Sequence, residues 1–360
     1  MLFADVLEIK NGRNQRAVEN PNGAYPIYGS GGIMGYADDF ICQAQTVVVG
    51  RKGNINKPLF VDVPFWNVDT AFGLEAKRNV LLPKYLYYFC LRYDFERLNK
   101  AVTIPSLTKA DLLKIEIELP KLSVQEDIVS RLESIERVIS IRQHQLSALD
   151  TLIKARFVEM FGDETNPYNW PIINVGDIAA VTVGVVIKPA QYYTDTDHGI
   201  KAFRSLNVGE MHIKDNEWVF FSQEGNDRNS KSQLHENDLI IIRSGAPGVA
   251  CVVTKQYEGC NAIDIIIARP DTNKIDPYYL CMYTNMPHGK RQIEEGTGGA
   301  AQQHFNVGKY NKLRLMLPPM EKQKQFSAFV SQVDKSKVVV KKALNRAQLL
   351  FDSLMQQYFG

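Results

Sequence analysis

Polar side chains suited to reading the edges of bases recur at matching places in the two halves of this 360-residue chain. In the first half, Arg51, Lys52, Asn54 and Lys57 follow the apolar run at 46–50, and Thr103, Ser106 and Lys109 precede the run at 115–119. In the second half, Arg243 and Ser244 follow the run at 239–242, and Gln302, Gln303, His304 and Asn306 precede the run at 313–317. Arg donates a paired hydrogen bond to guanine, Asn and Gln pair with the adenine edge, and Lys, Ser and backbone amides hold phosphates. The run Gly296-Thr-Gly-Gly-Ala-Ala ahead of the last set lets backbone approach a partner closely. Singly, each of these is an ordinary solvated loop residue; placed in matching pairs, they favour binding.

Catalytic chemistry needs more than this, and the sequence lacks its signatures. Amino-group methyl transfer would require Asn/Asp-Pro-Pro-aromatic, whereas Asn166-Pro167-Tyr168 has one proline and reads as a turn. Tyr28-Gly29-Ser30-Gly31-Gly32 is glycine-rich but no helical pattern follows, so it reads as an ordinary loop. There is no GxxxxGK[ST] phosphate loop, no HExxH, no Cys/His cluster at metal-ligand spacing and no acid/Lys cluster of the nuclease kind. The expectation is a non-catalytic chain that holds no metal and no cofactor. The formal net charge of +2 excludes a chain that is basic throughout, so any anion-binding surface is local. Five cysteines, none in a CxxC pair, read as free thiols, mostly buried, in a reducing compartment. The amino-terminal residues lack the basic flank of a signal peptide, and no apolar run reaches membrane-spanning length. A cytoplasmic location without membrane partners is expected.

The elements that must position these residues come in duplicate. Residues 119–162 and 317–360 align without a gap: both open on Leu-Pro, carry a Gln (Gln125, Gln323) near the start and close on Phe-Gly. Such a repeat sets the architecture before any single residue is read. In the first segment Ile128, Leu132, Ile135, Ile139, Leu146, Leu149 and Ile153 recur at alternating four- and three-residue steps, continuing to Met160 and broken by Arg142 and Arg156. In the second, Phe326, Val330, Val333, Val340, Leu344, Phe351 and Leu354 do the same, broken by Lys337. That spacing is a coiled-coil seam, and it predicts two long helices paired antiparallel. Ser123-x-x-Glu126 reads as a capping box opening the first helix, Pro319 bounds the start of the second, and Gly162 is a stop signal.

Upstream the repeat weakens but persists. Phe3-Ala4-Asp5-Val6 matches Val175-Gly176-Asp177-Ile178, Gly12 matches Gly184, and a short helix is expected near 82–88 and again near 275–280. Alternation at 115–119 and 313–317 predicts a strand before each long helix. Each half is therefore expected to hold a strand-rich unit with mixed helix and sheet. The second is longer, with the excess placed in 185–237.

The matched helices, together with Gly-Gly-Ala-Ala-Gln-Gln-His-Phe-Asn at 298–306, Tyr25-Pro-Ile-Tyr-Gly-Ser-Gly-Gly-Ile and Asn169-Trp170-Pro171, resemble the specificity (S) subunits of type I restriction-modification systems. The resemblance covers essentially the whole chain. It implies an α+β fold of two mixed α/β target recognition domains (1–119 and 163–316), separated by a central long helix (120–162) and a carboxy-terminal long helix (317–360). Those helices would form an antiparallel coiled coil with a pseudo-twofold internal repeat. It further implies that each domain reads one half of a bipartite, asymmetric site in double-stranded DNA, while the helices set the spacer and dock two methylation subunits. S-adenosylmethionine, ATP and Mg would belong to the methylation and restriction subunits, the latter joined through the former. A related system with methylation and cleavage fused in one partner stays open, as does a coiled-coil scaffold with no DNA role.

Overall fold

Apolar runs bounded by Gly, Pro and Asn decide where the strands fall. A computed structural model of the chain describes residues 1–99, 104–195, 199–297 and 305–360, which divide into two units. One comprises Met1–His144 with Lys341–Gly360, the other Gln145–Val340.

The first unit opens on α1 (Phe3–Val6) and β1 (Leu7–Asn11). Next come β2 (Tyr25–Gly29), β3 (Gly32–Ala37), β4 (Thr46–Gly50), β5 (Leu59–Val61), β6 (Trp66–Asn67) and β7 (Ala71–Ala76). Strands β1, β7, β4 and β5 form an antiparallel sheet in that order. β4 is buried along its whole length, which its unbroken Val47-Val48-Val49 run requires. A smaller sheet has the order β3-β2-β6, with β6 parallel to β2. α2 (Pro83–Arg92) starts on a proline, whose missing N–H is harmless in a first turn, and buries Tyr85, Leu86, Tyr88 and Cys90. α3 (Lys109–Leu112) is capped by Thr108, whose hydroxyl accepts from the Asp111 amide. The strand expected at 115–119 is only a single bridge, Glu116 to Leu2. Its partner segment turns into α1 at Phe3, so the ladder ends after the Phe3 amide bonds Ile115.

The second unit repeats this plan with additions. β8 (Ile172–Asn174) pairs with β19 (Arg314–Met316), which does form the strand expected there. β9 (Ala179–Val183), β15 (Leu239–Ile242), β16 (Ala250–Val252) and β18 (Ile265–Pro270) form a sheet in the order β16-β15-β18-β9. Here β18 lies between β9 and β15 as β7 lies between β1 and β4. β10 (Tyr193–Thr194), β11 (Ile200–Phe203), β14 (Val219–Phe221) and β17 (Asn261–Ala262) form the companion sheet, with β17 parallel to β11 as β6 is to β2. Between β11 and β14 stands a small hairpin, β12 (Val208–Gly209) with β13 (His212–Ile213). Helices α5 (Gln223–Arg228), α6 (Pro277–Asn285), α7 (Pro287–Thr297) and α8 (Val307–Asn311) complete the unit. The matched glycines have one physical cause. A Cβ on Gly12 would lie 1.8 Å from the Val68 carbonyl oxygen, and one on Gly184 would lie 2.4 Å from that of Ala262.

α4 (Leu122–Phe161) and α9 (Met320–Phe359) are 40 residues each, and each gives one half to each unit. In the first unit Ile128 and Leu132 share a core with Phe351, Leu354 and Met355. In the second, Ile153, Phe157 and Phe161 share one with Phe326, Val330 and Val333. The start of one helix thus meets the end of the other within each unit, and the pairing is antiparallel. The Phe157 and Phe326 rings lie 5.4 Å apart, and Lys337, the polar break of its seam, pairs with Asp150 at 2.6 Å. Ile135, Ile139, Leu146, Leu149, Val340 and Leu344 are half-buried.

Two expectations about these helices are corrected. The seam near the end of α4 passes through Phe157 and Phe161, both buried, while Arg156 and Met160 are only half-buried. A strict seven-residue pattern drifts by about 20° per heptad on a straight helix, and Tyr279 stacks on the Phe157 side. Ser123 does not cap α4, because Leu122 already lies inside the helix. The start is held by Gln125, a buried side chain that accepts from the Leu82 amide at 2.9 Å and donates to the Pro120 and Val80 carbonyls. Gln323 repeats the contact, accepting from Asp276 N and donating to the Pro318 carbonyl, each at 2.8 Å. Gly162 ends α4 with φ +85°, its amide bonded to the Val158 carbonyl. Among the described residues, no helix is long and apolar enough to cross a membrane.

Candidate nucleic-acid interface

In the first unit β4 delivers the chain to an exposed loop that two other segments meet. The Arg51 carbonyl accepts from Leu107 N at 2.9 Å, the Pro105 carbonyl accepts from Gly53 N at 3.1 Å, and Lys52 bridges Ser106. The loop after β4 and the segment before α3, far apart in sequence, are thereby one surface. The Arg51 guanidinium lies 5.8 Å from the centre of the Phe72 ring, and its side chain is exposed. Lys52, Asn54 and Lys57 are exposed too, and among the described residues no acid pairs with Lys52 or Lys57.

Not every candidate joins this surface. Lys109 turns inward and donates to the Ile9 carbonyl at 2.7 Å, tying α3 to β1. Thr103 lies outside the described residues, as do Gln302, Gln303 and His304. Conversely, the glycine-rich segment read as an ordinary loop is the β2–β3 turn, and it packs on the surface. A Cβ on Gly50 would lie 3.0 Å from that of Ser30, and one on Gly31 would lie 3.8 Å from Asn54 Nδ2. The tight glycine turn was visible in sequence; its neighbours were not, because they come from another sheet.

The second unit builds the same junction. The Arg243 carbonyl accepts from Phe305 N at 2.9 Å, the counterpart of Arg51 with Leu107. Here, however, the arginine is half-buried and sits 3.2 Å from Asp264. Ser244 is half-buried beside it. Asn306 spends its side-chain oxygen on capping α8, accepting from Lys309 N at 3.0 Å. The connection at 204–218 is internally braced. Lys201 pairs with Asp215 at 2.8 Å and lies over the Trp218 ring, whose Nε1 donates to the same carboxylate at 2.6 Å. The Lys201 contact, aided by Trp218, holds the Asp215 carboxyl below the usual carboxylate range.

All five cysteines are free and buried, and burial pushes Cys251 up to about 12 and Cys260 to about 11, so neither is a thiolate at neutral pH. Among the described residues, no group of three His, Cys, Asp or Glu side chains could hold a metal ion.

Two strand-rich units, each with a polar junction at the end of a buried strand and each completed by paired helix halves, define a duplicated recognition protein. The family model for the type I restriction modification DNA specificity domain matches residues 3–151 and again 161–347, and the chain belongs to that family. Its relatives include the specificity subunit of the type I restriction enzyme StySPI from Salmonella potsdam, 21% identical over 85% of this chain and 70% of the relative. The EcoBI specificity subunit from Escherichia coli is 19% identical over 88% of this chain and 73% of the relative. Among solved structures, the S subunit of a type I restriction-modification system from M. genitalium superposes with a TM-score of 0.62 at 16% identity, covering 100% of this chain and 95% of that one. Membership makes this a DNA-specificity chain of a type I restriction-modification system, and it implies DNA and further subunits as partners.

Proposed function

We propose that each unit reads one half of a bipartite, asymmetric double-stranded DNA site, and that the chain catalyses nothing itself. Methyl transfer with S-adenosylmethionine belongs to two methylation subunits docked on the paired helices; ATP- and Mg-dependent work belongs to restriction subunits joined through them. The observation that carries this reading is the duplicated junction, Leu107 on Arg51 and Phe305 on Arg243, present once per unit. Two readers imply a two-part site, and readers with different side chains imply unlike halves. The formal net charge of +2 fits a subunit that shares phosphate contacts with its partners, because affinity scales with the number of cationic contacts. Mapping DNA methylation across a host genome with and without this gene tests the proposal. A two-part motif should vanish with the gene; an unchanged methylation map would overturn it.

A further inference from the structure

Among the described residues of the first unit, one apolar strand face lies uncovered beside the cationic loop. β3 is the edge strand of its sheet, and Ile33, Met34 and Tyr36 are 57%, 60% and 45% exposed. The β2–β3 register shifts between Ile27 and Tyr28: Ile27 pairs with Gly35 and Tyr28 with Ile33, so Met34 is the extra residue of a bulge. A bulge re-aims a side chain, and here two consecutive apolar residues face outward where a regular strand would alternate. Met34 lies across Gly29, where a Cβ would stand 2.5 Å from its sulfur. Through the Ser30–Gly31 turn, this pair adjoins Gly50, Asn54 and the exposed Arg51 and Lys52.

We propose that Ile33 and Met34, carried on the bulged edge of β3, are a base-reading contact that takes the C5-methyl group of a thymine in the major groove. The inference rests on the DNA-reading function above and names a contact within it. The β2–β3 turn carries the pair at the edge of its sheet, and the one apolar feature that the major groove offers on a base edge is that methyl. The charge pattern selects this occupant: Arg51 and Lys52, in the loop that meets the Ser30–Gly31 turn, suit phosphates flanking the groove, and among the described residues Lys52 has no acidic partner. Apolar residues held at a tight glycine turn also suit close approach to the duplex.

The test uses the assembled complex with its methylation subunits and a duplex carrying the mapped two-part site. Each thymine is replaced in turn by deoxyuridine, which removes only the methyl, and affinity is measured by competition. For the wild type, one such replacement in one half-site should weaken binding about fourfold, the size expected for one buried methyl. Met34→Ala or Ile33→Ala should weaken binding to the native duplex and then respond little to deoxyuridine at that position, with the other half-site unchanged. Because both side chains are more than half exposed, the variants should keep their thermal midpoint. The proposal is overturned if both variants keep wild-type sensitivity at every thymine, or if one half-site depends on them and contains no A·T pair. It is also overturned if folded variants fail to assemble, which would make this face a protein-docking surface. A wild-type complex that selects no two-part site overturns the functional reading, and this inference with it.

Discussion

The connection between β2 and β3 in the first unit is the two-residue turn Ser30–Gly31, whereas between β11 and β14 in the second it runs over 204–218 and contains its own hairpin. The strands on either side correspond, down to the parallel pairing of β6 with β2 and β17 with β11. Divergence falls in this connection and in the added β10, α5 and α7, while the strand pairings common to the two units are kept. The first unit presents a short hairpin with bare apolar side chains and an exposed arginine that lies by the Phe72 ring and donates to the Asp69 carbonyl. The second presents a braced insertion and an arginine held by Asp264. A frame that tolerates either device can change what it reads without changing how it folds.

The largest expected effect comes from erasing this difference. Replacing 205–217 by a Ser-Gly turn should abolish selection of one half-site and leave the other intact, because it removes Asn207 and Val208, which are buried in the second unit; equal loss at both halves in a selection from random duplexes would show that the units do not read separately. Next comes Phe157→Ala. This ring is fully buried among Phe161, Tyr279 and Phe326, so truncation should cost about 3–5 kcal/mol. Hydrogen exchange should show the loss in the second unit, with the first unit's protection retained. Gln125→Ala and Gln323→Ala should each cost about 1–3 kcal/mol by stranding buried amide and carbonyl groups, one in each unit. Thermal unfolding that moved for one and not the other would break the equivalence of the two helix starts.

The smallest effect is a pH dependence confined to one unit. His288 is buried between Phe157 and Tyr283, and neither ring nitrogen makes a well-formed hydrogen bond. Burial lowers its pKa from the ordinary histidine value, against an opposing pull from the Asp163 backbone and the Glu164 carboxylate. The unfolded chain therefore takes up the proton first as pH falls, so stability is full above the ordinary histidine range and declines below it. His288→Phe should flatten that decline.

The repeat made much of this fold legible. Gly12 and Gly184 could be matched because a close strand crossing admits no other residue, and the seams of α4 and α9 because burial on a helix follows a fixed period. The position of the added length within 185–237 was legible only as a range; the hairpin in it rests on two pairs, Val208 with Ile213 and Gly209 with His212, and the helix α5 spans six residues, both too short to leave a periodic pattern. Ser123 misled because a capping pattern is local, while the start of α4 is fixed by a glutamine reaching to Leu82 and Val80. Lys109 misled for a similar reason, since a lysine's long stem can fold back to a carbonyl as readily as reach into solvent. In the proposed binding surface, residue types were visible, but the approach of the Ser30–Gly31 turn to Gly50 and Asn54 was not.

Because the last stretch of α9 belongs to the first unit, the order of synthesis differs from the order of assembly. Phe351 and Met355 complete the core that Phe3, Leu74 and Leu132 begin. While the roughly 200 residues of Gln145–Val340 are translated, which takes about 10–40 s at typical ribosome speeds, the opening strands wait on a core still missing its final layer. The second unit, continuous from Gln145 to Val340, can close before the first. A chain truncated at Val340 should therefore protect Gln145–Val340 from protease and leave Met1–His144 vulnerable.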